Sequence, residues 1–344
     1  PFIFIIANNL RRFRAIDYGL FTLLFVVLLV AALSKRSNVF GVISMCSISL
    51  IPFLKNPIIA GAAKVFRRIY IVTVLLGLVV WVLLLLGVEV PHGTISPLNE
   101  LKTHNYSSYP LLIIPDIWSD LSLDGVFSAL RFAASFDEPG VVGTISFILL
   151  WIDKYRLRSY GNLIILISGL ASFSLYFYVA FTLFFSLHML LKGKYKFLIA
   201  IVAITSSCYV MTYQNEAAKE LLWNRVEWDS ESRQIIGNNR SDDDLDRYID
   251  AIFLSDSYLF GTGNPLLNAR FSESASYKNA ILMYGAVSLA LYMLFFSLYA
   301  FYNLSDFNSA FIFMLILGCT LYQRPDFYSI HYIFLFTAVI GSRC

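Results

Sequence analysis

The stretch RFAASFDEPGVVG, Arg131 to Gly143, sets an arginine and two adjacent carboxylates, Asp137 and Glu138, ahead of a Pro-Gly pair and an apolar run. A guanidinium can hold a phosphate through two parallel N–H···O bonds. A nearby carboxylate can take a proton from a sugar hydroxyl. Gly140 and Gly143 lack the side chains that would keep a substrate or a neighbouring helix off the backbone. The same residues also make an ordinary helix start. Pro139 suits the first turn, where its missing N–H costs nothing, and Asp137 and Glu138 then meet the positive end of the helix dipole. Spacing alone leaves both readings open.

A second set of candidates lies in the polar segment 214–276, which carries Arg225, Arg233, Arg240, Arg247 and Arg270. Each alone reads as a solvated or salt-bridged surface residue. Together, in an acidic segment, one or two of them are expected to face an anionic ligand, because a diphosphate is recognised by the planar fork of Arg better than by Lys. SYLFGTGNPL, Ser257 to Leu266, is turn-rich, and its Gly261 and Gly263 suit positive φ. The histidines, His92, His104, His188 and His331, are scattered, and no H-E-x-x-H or Cys/His cluster exists. No metal and no other cofactor is therefore expected. Cys46, Cys208 and Cys319 sit in apolar segments and read as small packing residues, with Cys344 at the end of the chain.

The elements that must position these residues are apolar. Of 344 residues 58% are hydrophobic and 14% charged, with a mean hydropathy of +0.68, against roughly 45–50% and 25% in soluble domains. A net charge of +3 is too small to indicate a nucleic-acid partner. A membrane helix needs about 20 apolar residues, and candidates run at 18–33, 39–54, 69–88, 140–152, 162–172, 173–191, 197–213, 277–302, 308–322 and 327–341. The run from Gly161 to Leu191 is either a hairpin of two short segments broken near Gly169, Ser172 and Ser174 or one long tilted helix. The chain begins at Pro1 without Met, so a longer open reading frame is expected; Phe2–Ile6 reads as the tail of an earlier helix, and no cleavable signal peptide is evident.

Basic clusters at Arg11–Arg14, Lys55–Arg68, Lys154–Arg158 and Lys192–Lys196 are expected on the cytoplasmic side. That placement favours the broken hairpin, puts both long polar segments outside and leaves Lys35 and Arg36 as a mild violation. The expected organisation is N-terminal membrane helices (1–88), a first outer loop (89–139), central membrane helices with the hairpin (140–213), a second outer loop (214–276) and C-terminal membrane helices (277–344). In the second loop, Ala217–Trp228 and Asp243–Leu254 have helical spacing and read as lid helices, the latter capped by Ser241. The expected fold class is all-α: a polytopic integral membrane protein of about ten transmembrane helices with two large outer loops.

Four stretches in order resemble the bacterial O-antigen polymerase family, which shares a superfamily with O-antigen ligases. FDEPGVVG (Phe136–Gly143), preceded by Arg131, is similar to the family's F-x-E-P-G-x-x-G run. ISGLASFSLYFYVAF (Ile167–Phe181) resembles its Ser-rich short membrane segment, YLFGTG (Tyr258–Gly263) its Leu-Phe-Gly-x-Gly turn, and SYKNAILMYGAVSLALYMLFF (Ser276–Phe296) the Tyr-Gly helix that follows. The matches span Arg131 to Phe296; the first third of the chain is covered by none of them.

The resemblance implies a GT-C-like, metal-independent helical glycosyltransferase of the bacterial inner membrane, its site facing outward. Its substrate would be an oligosaccharide repeat unit on undecaprenyl diphosphate, destined for O-antigen, capsule or exopolysaccharide, and a chain-length regulator is a possible partner. Arg131 matches the family's first outer-loop arginine, and Arg240 or Arg247 the one before the Gly-x-Gly turn, with Arg225 and Arg270 as plausible neighbours. Glu138, Asp137 and Glu273 are the candidate bases, and Gly140 a point of close approach. Two features depart from the pattern. Arg131 to Gly143 and Arg225 to Gly237 enclose eleven residues rather than the ten of an R-x10-G motif. The stretch ESASY (Glu273–Tyr277) lacks the histidine that ligases show before the Tyr-Gly helix. An O-antigen ligase-type transferase and a polysaccharide flippase remain as alternatives, the latter opposed by the scarcity of charges inside spans and of repeats.

Overall fold

The computed structural model describes residues 14–34, 42–43, 47–96, 106–115, 122–123, 127–128, 131–136, 138–196, 228–229, 234–235, 243–262, 277–304, 306–323 and 328–341. Helix dominates these residues, with eleven α-helices and one 3-10 turn. The chain is mostly helical, as expected, and the described residues add seven short strands, five of them in the segment 89–139. YSSYPLLIIP explains the clearest of them: Tyr and Ile favour a pleated surface, and the Pro110–Leu111 corner, with Leu111 at φ 57°, pairs Tyr109 with Leu112. Strands β1 (Gly93–Ile95), β2 (Tyr106–Tyr109) and β3 (Leu112–Pro115) form an antiparallel sheet in that order. The other strands make two two-stranded ribbons, Ser122–Leu123 with Phe127–Ser128 and Trp228–Asp229 with Gln234–Ile235.

The chain divides into two units, one of residues 1–66 and 239–344, the other of 67–238. In the first unit, helix α1 (Ala15–Ser34) is entered through Asp17, whose Oδ2 accepts a bond from the Arg14 N–H at 3.0 Å. Its Leu20, Leu24, Val27, Leu28 and Ala31 are buried at helical spacing, and the helix packs on Ala286–Asn303. Phe296, Phe313 and Phe336 meet at ring separations of 5.5–6.2 Å and join Ala286–Asn303 to Phe307–Gln323 and Ile330–Gly341.

The expected single helix over 277–302 is two, Tyr277–Tyr284 and Ala286–Asn303, broken at Gly285. Gly285 adopts φ 84°, ψ 154°, and Gly261 adopts φ 84°, ψ 156°, a region open in practice to glycine alone. The two lie back to back. A Cβ on Gly261 would meet the Met283 carbonyl oxygen at 2.6 Å, and one on Gly285 would strike the Leu259 carbonyl oxygen and the Phe260 backbone. The Thr262 N–H closes the contact on the Leu282 carbonyl at 2.9 Å. Asp243–Ala251 is the amphipathic helix expected over the membrane core. It buries Leu245 and Ile249 on Ile281 and Leu282, and Asp246 pairs with Lys278 at 2.8 Å. Its expected partner at Ala217–Trp228 and the span 197–213 lie outside the described residues, save that Trp228 is in a strand, and Ser241 lies outside them too.

In the second unit the run Gly161–Leu191, open between a hairpin and a single helix, is two helices, Tyr160–Ala171 and Leu175–Leu191. Both pack on Pro139–Ile152, a central helix buried almost all round. The 30-residue helix Asn56–Leu85, which belongs to the first unit up to Phe66 and to the second from Arg67, is longer than the expected 69–88 because it begins before Lys64, Arg67 and Arg68, which lie on the helix and not in a loop. Its Val65, Ile69, Val72, Leu76, Val79 and Leu83 recur every three or four residues and are all exposed. Among the described residues, this helix and Ala286–Asn303 are long and apolar enough to cross a membrane.

Strain at the interlocked glycines has a direct measure. Gly261→Ala and Gly285→Ala should each cost about 1–3 kcal/mol and lower the Tm of the detergent-solubilised protein. Gly19→Ala, in a helix where nothing lies within 4 Å of an added Cβ, should leave it unchanged or slightly raised.

Candidate functional site

A helix that ends among apolar neighbours leaves carbonyls that must find donors. Tyr160–Ala171 ends this way, and its last carbonyls are accounted for in sequence. Gly169 O accepts from Ser172 Oγ at 2.6 Å, Leu170 O from Tyr178 Oη at 2.7 Å and Ala171 O from the Phe132 N–H at 3.0 Å. Arg131 completes the set, donating Nε to Ser172 O at 3.4 Å and Nη2 to Phe173 O at 3.2 Å. A guanidinium at the negative end of a helix dipole is placed favourably as well. Phe173 takes φ 47°, the left-handed turn usually left to glycine after a helix.

The chain on either side of Arg131 is anchored by packing. Phe132 is buried edge-on to Trp81 at 6.1 Å and lies beside Gly77, where a Cβ would also meet the Leu111 carbonyl oxygen at 2.9 Å. The Ile113 N–H binds Ala134 O at 2.7 Å and ties the sheet to this segment. Phe136 rests on Tyr70 at 6.0 Å. Glu138 then takes the N-cap position of Pro139–Ile152 with Pro139 inside the first turn, but its side chain makes no capping bond to that helix. Gly140 is half-buried, and its carbonyl accepts from Thr144 Oγ1 at 2.9 Å.

Gly143 receives a neighbouring helix. A Cβ there would meet Ser174 Cβ at 2.6 Å and Phe177 Cβ at 3.2 Å. Below it a buried hydroxyl chain crosses three helices: Tyr70 Oη binds Val142 O at 3.0 Å and Ser146 Oγ at 2.8 Å, and Ser146 lies 3.2 Å from Ser168 Oγ. Small and hydroxyl residues of this kind let apolar helices pack closely with their polar groups satisfied.

Of the residues selected from sequence, Arg131, Glu138 and Gly140 are thus brought to one corner of the second unit. Arg247 is elsewhere, on the solvent face of Asp243–Ala251 in the first unit, 78% exposed and 3.9 Å from Asp244. Asp137, Arg225, Arg233, Arg240, Arg270, Glu273 and Gly263 lie outside the described residues. The described residues contain no group of His, Cys, Asp and Glu side chains that could hold a metal ion.

Sequence reasoning passed over a polar knot at the other end of Pro139–Ile152. Asp153 Oδ2 accepts from Asn162 Nδ2 at 2.5 Å and from Arg67 Nη2 at 3.4 Å. Asn162, fully buried, also accepts from Arg67 Nη2 at 2.7 Å and donates to Arg156 O at 2.9 Å. The usable signal was Asn162 near the start of an otherwise apolar run. No protein-family profile, curated protein or solved structure matches this chain.

Replacing Asn162 removes the hub of the knot and leaves Arg67 and Asp153 with fewer buried partners. Asn162→Ala should therefore destabilise by about 1–3 kcal/mol, read as a lower Tm by circular dichroism in detergent.

Proposed function

We propose that the chain is a multi-pass bacterial inner-membrane glycosyltransferase of the O-antigen polymerase type, with about ten spans and its site facing outward. The observation that carries this reading is a pairing. The four stretches that resemble the family come together two by two. FDEPGVVG with its preceding Arg131 is bonded to and packed on the Ser-rich break at Ser172–Ser174. YLFGTG is interlocked with the Tyr-Gly break at Gly285. Chain breaks of this sort, inside apolar helices, are where a substrate can meet satisfied but irregular backbone. The exposed aliphatic stripe of Asn56–Leu85 supports the membrane part of the reading, since such a face is at rest against hydrocarbon and at a loss in water.

The reaction moves the growing glycan from undecaprenyl diphosphate to an incoming lipid-linked unit. A hydroxyl at the non-reducing end of that unit attacks the anomeric carbon of the donor. The C–O bond to the diphosphate breaks, and the electron pair leaves with the lipid diphosphate. The hydroxyl proton passes to Glu138, Asp137 or Glu273, or to solvent. Arg131 stabilises the charge growing on the diphosphate, which is the larger contribution when the leaving group departs easily, and Arg240 or Arg247 is the second arginine that the resemblance implies. Arg225, Arg270 and Gly140 complete the proposed substrate contacts.

Arg131 and Arg247 separate structure from chemistry. Arg247 is exposed beside one weakly engaged carboxylate, so Arg247→Ala should be neutral to the fold. Both Arg131→Ala and Arg247→Ala should lower polymer made in a complemented deletion strain by about 100-fold or more, leaving single repeat units attached to the acceptor. Arg247→Ala protein should keep the parental Tm. Normal polymer lengths in both variants would overturn the reading, and long polymer accumulating on the lipid carrier in the deletion strain would favour the ligase instead.

A further inference from the structure

The end of the second unit opposite Arg131 is built from the turn after Pro139–Ile152, the start of Tyr160–Ala171 and the end of Leu175–Leu191. Tyr155 locks these together. Its buried ring lies 5.3 Å from Phe185 and 5.4 Å from His188, while the Asn162 knot fixes the same turn from the other side. Lys154 and Tyr155 both take left-handed backbone, at φ 52° and 53°. The turn alternates as a result: Tyr155 points in, and Lys154, Arg156 and Arg158 point out, exposed. Lys192, Lys194 and Lys196, also exposed, follow Leu175–Leu191 at the same end. Asp153 is the acidic residue of this end among the described residues, and Arg67 already pairs with it.

What lies behind the cations identifies the occupant. Among and beside them stand Tyr195 and Tyr160, 61% and 87% exposed. Beyond these come Leu163, Ile167 and Leu170 on one helix and Leu190, Leu183 and Val179 on the other, all exposed. Charge mixed with tyrosine, then aliphatic surface, matches the order in which a bilayer presents its phosphate-bearing interface and its acyl chains. An acidic protein or a free phosphate would engage the first layer only.

We infer that this basic end is a binding surface for anionic phospholipid headgroups, whose phosphates the lysines and arginines of the two clusters hold while the tyrosines sit at the glycerol level. It rests on the membrane reading but not on the transferase reading, since it lies at the other end of the unit and requires no glycan.

The test uses the full chain purified in detergent, with Tm and native mass spectrometry as readouts. Phosphatidylglycerol should raise the Tm and remain bound in discrete copies, phosphatidylcholine should do neither, and any rise given by inorganic pyrophosphate should be the same in the triple variants below, since the diphosphate site proposed above lies at the other end of the unit. K154Q/R156Q/R158Q should keep the lipid-free Tm and weaken the Kd for phosphatidylglycerol by about 100-fold, at roughly fivefold for each cation near an anionic surface. K192Q/K194Q/K196Q should give a comparable loss if the first triple variant fails to fold. Equal stabilisation by phosphatidylcholine, a pyrophosphate effect lost in the folded triple variants, or unaltered phosphatidylglycerol binding in them would each overturn the proposal.

Discussion

A helix cannot stop in apolar surroundings unless its last carbonyls are given donors, and the second unit is organised around one such stop. At the end of Tyr160–Ala171 a serine, a tyrosine, a backbone N–H and an arginine divide the task. Each donor fixes something else in place. Tyr178 sets the start of Leu175–Leu191 against the break. Phe132 brings in the segment that ties down the sheet. Arg131 leads that same segment towards Glu138 and the central helix. If Arg131 also meets a diphosphate, it does so from a position that the backbone already enforces, which is what preorganised electrostatic catalysis asks of a charged donor.

The first unit meets the same kind of break with glycine in place of arginine. Gly261 and Gly285 hold a backbone conformation that a side chain would forbid, and each occupies the space in which the other's Cβ would stand. The amphipathic helix Asp243–Ala251 is thereby clasped to the same helix, Tyr277–Tyr284, on which it buries Leu245 and Ile249. Its Arg247 stays in solvent, available to a ligand without first losing a buried partner. Arg131 and Arg247 were grouped by residue type, yet one is a structural member and the other a surface charge.

Much of this was legible from residue types. The apolar runs marked most of the helices, and the Pro-Gly step marked the start of Pro139–Ile152. The serine-rich middle of Gly161–Leu191 marked a possible break, though not whether it was used. Periodicity could not find the break at Gly285, because a residue held between two helical apolar stretches keeps the pattern running through it. The sheet was missed because Tyr, Ser and Ile at 106–114 lie in a segment read for polarity and not for alternation. Arg131's carbonyl partners were beyond reach, since nothing in RFAASFDEPGVVG names Ser172 or Phe173. The knot at Asn162 was hidden in part for the same reason: Asp153 and Arg156 lie in the turn just before it, but Arg67 comes from a distant helix.

Backbone strain gives an independent view of where the chain does more than pack. Among the described residues, six that are not glycine take positive φ. Leu111, Ala134 and Phe173 surround the Arg131 corner, with Ala134 bonded to the strand that follows Leu111 and Phe173 carrying an acceptor of the guanidinium. Lys154 and Tyr155 shape the basic turn, and Leu254 ends the stretch after the amphipathic helix. Conformations of this kind cost of order 1–3 kcal/mol each and persist where surrounding contacts over-determine them. Glycine would remove that cost at any of the six, as it does at Gly87 and Gly193, where space is open, and at 261 and 285, where a Cβ cannot fit at all. The strain at Tyr155 is offset by the ring that fastens the turn, while Phe173 contributes through its backbone carbonyl, which Arg131 holds. The two ends of the central helix, one holding the candidate transfer residues and the other the cations, are therefore the places where this unit gives up local backbone preference to keep particular side chains in position.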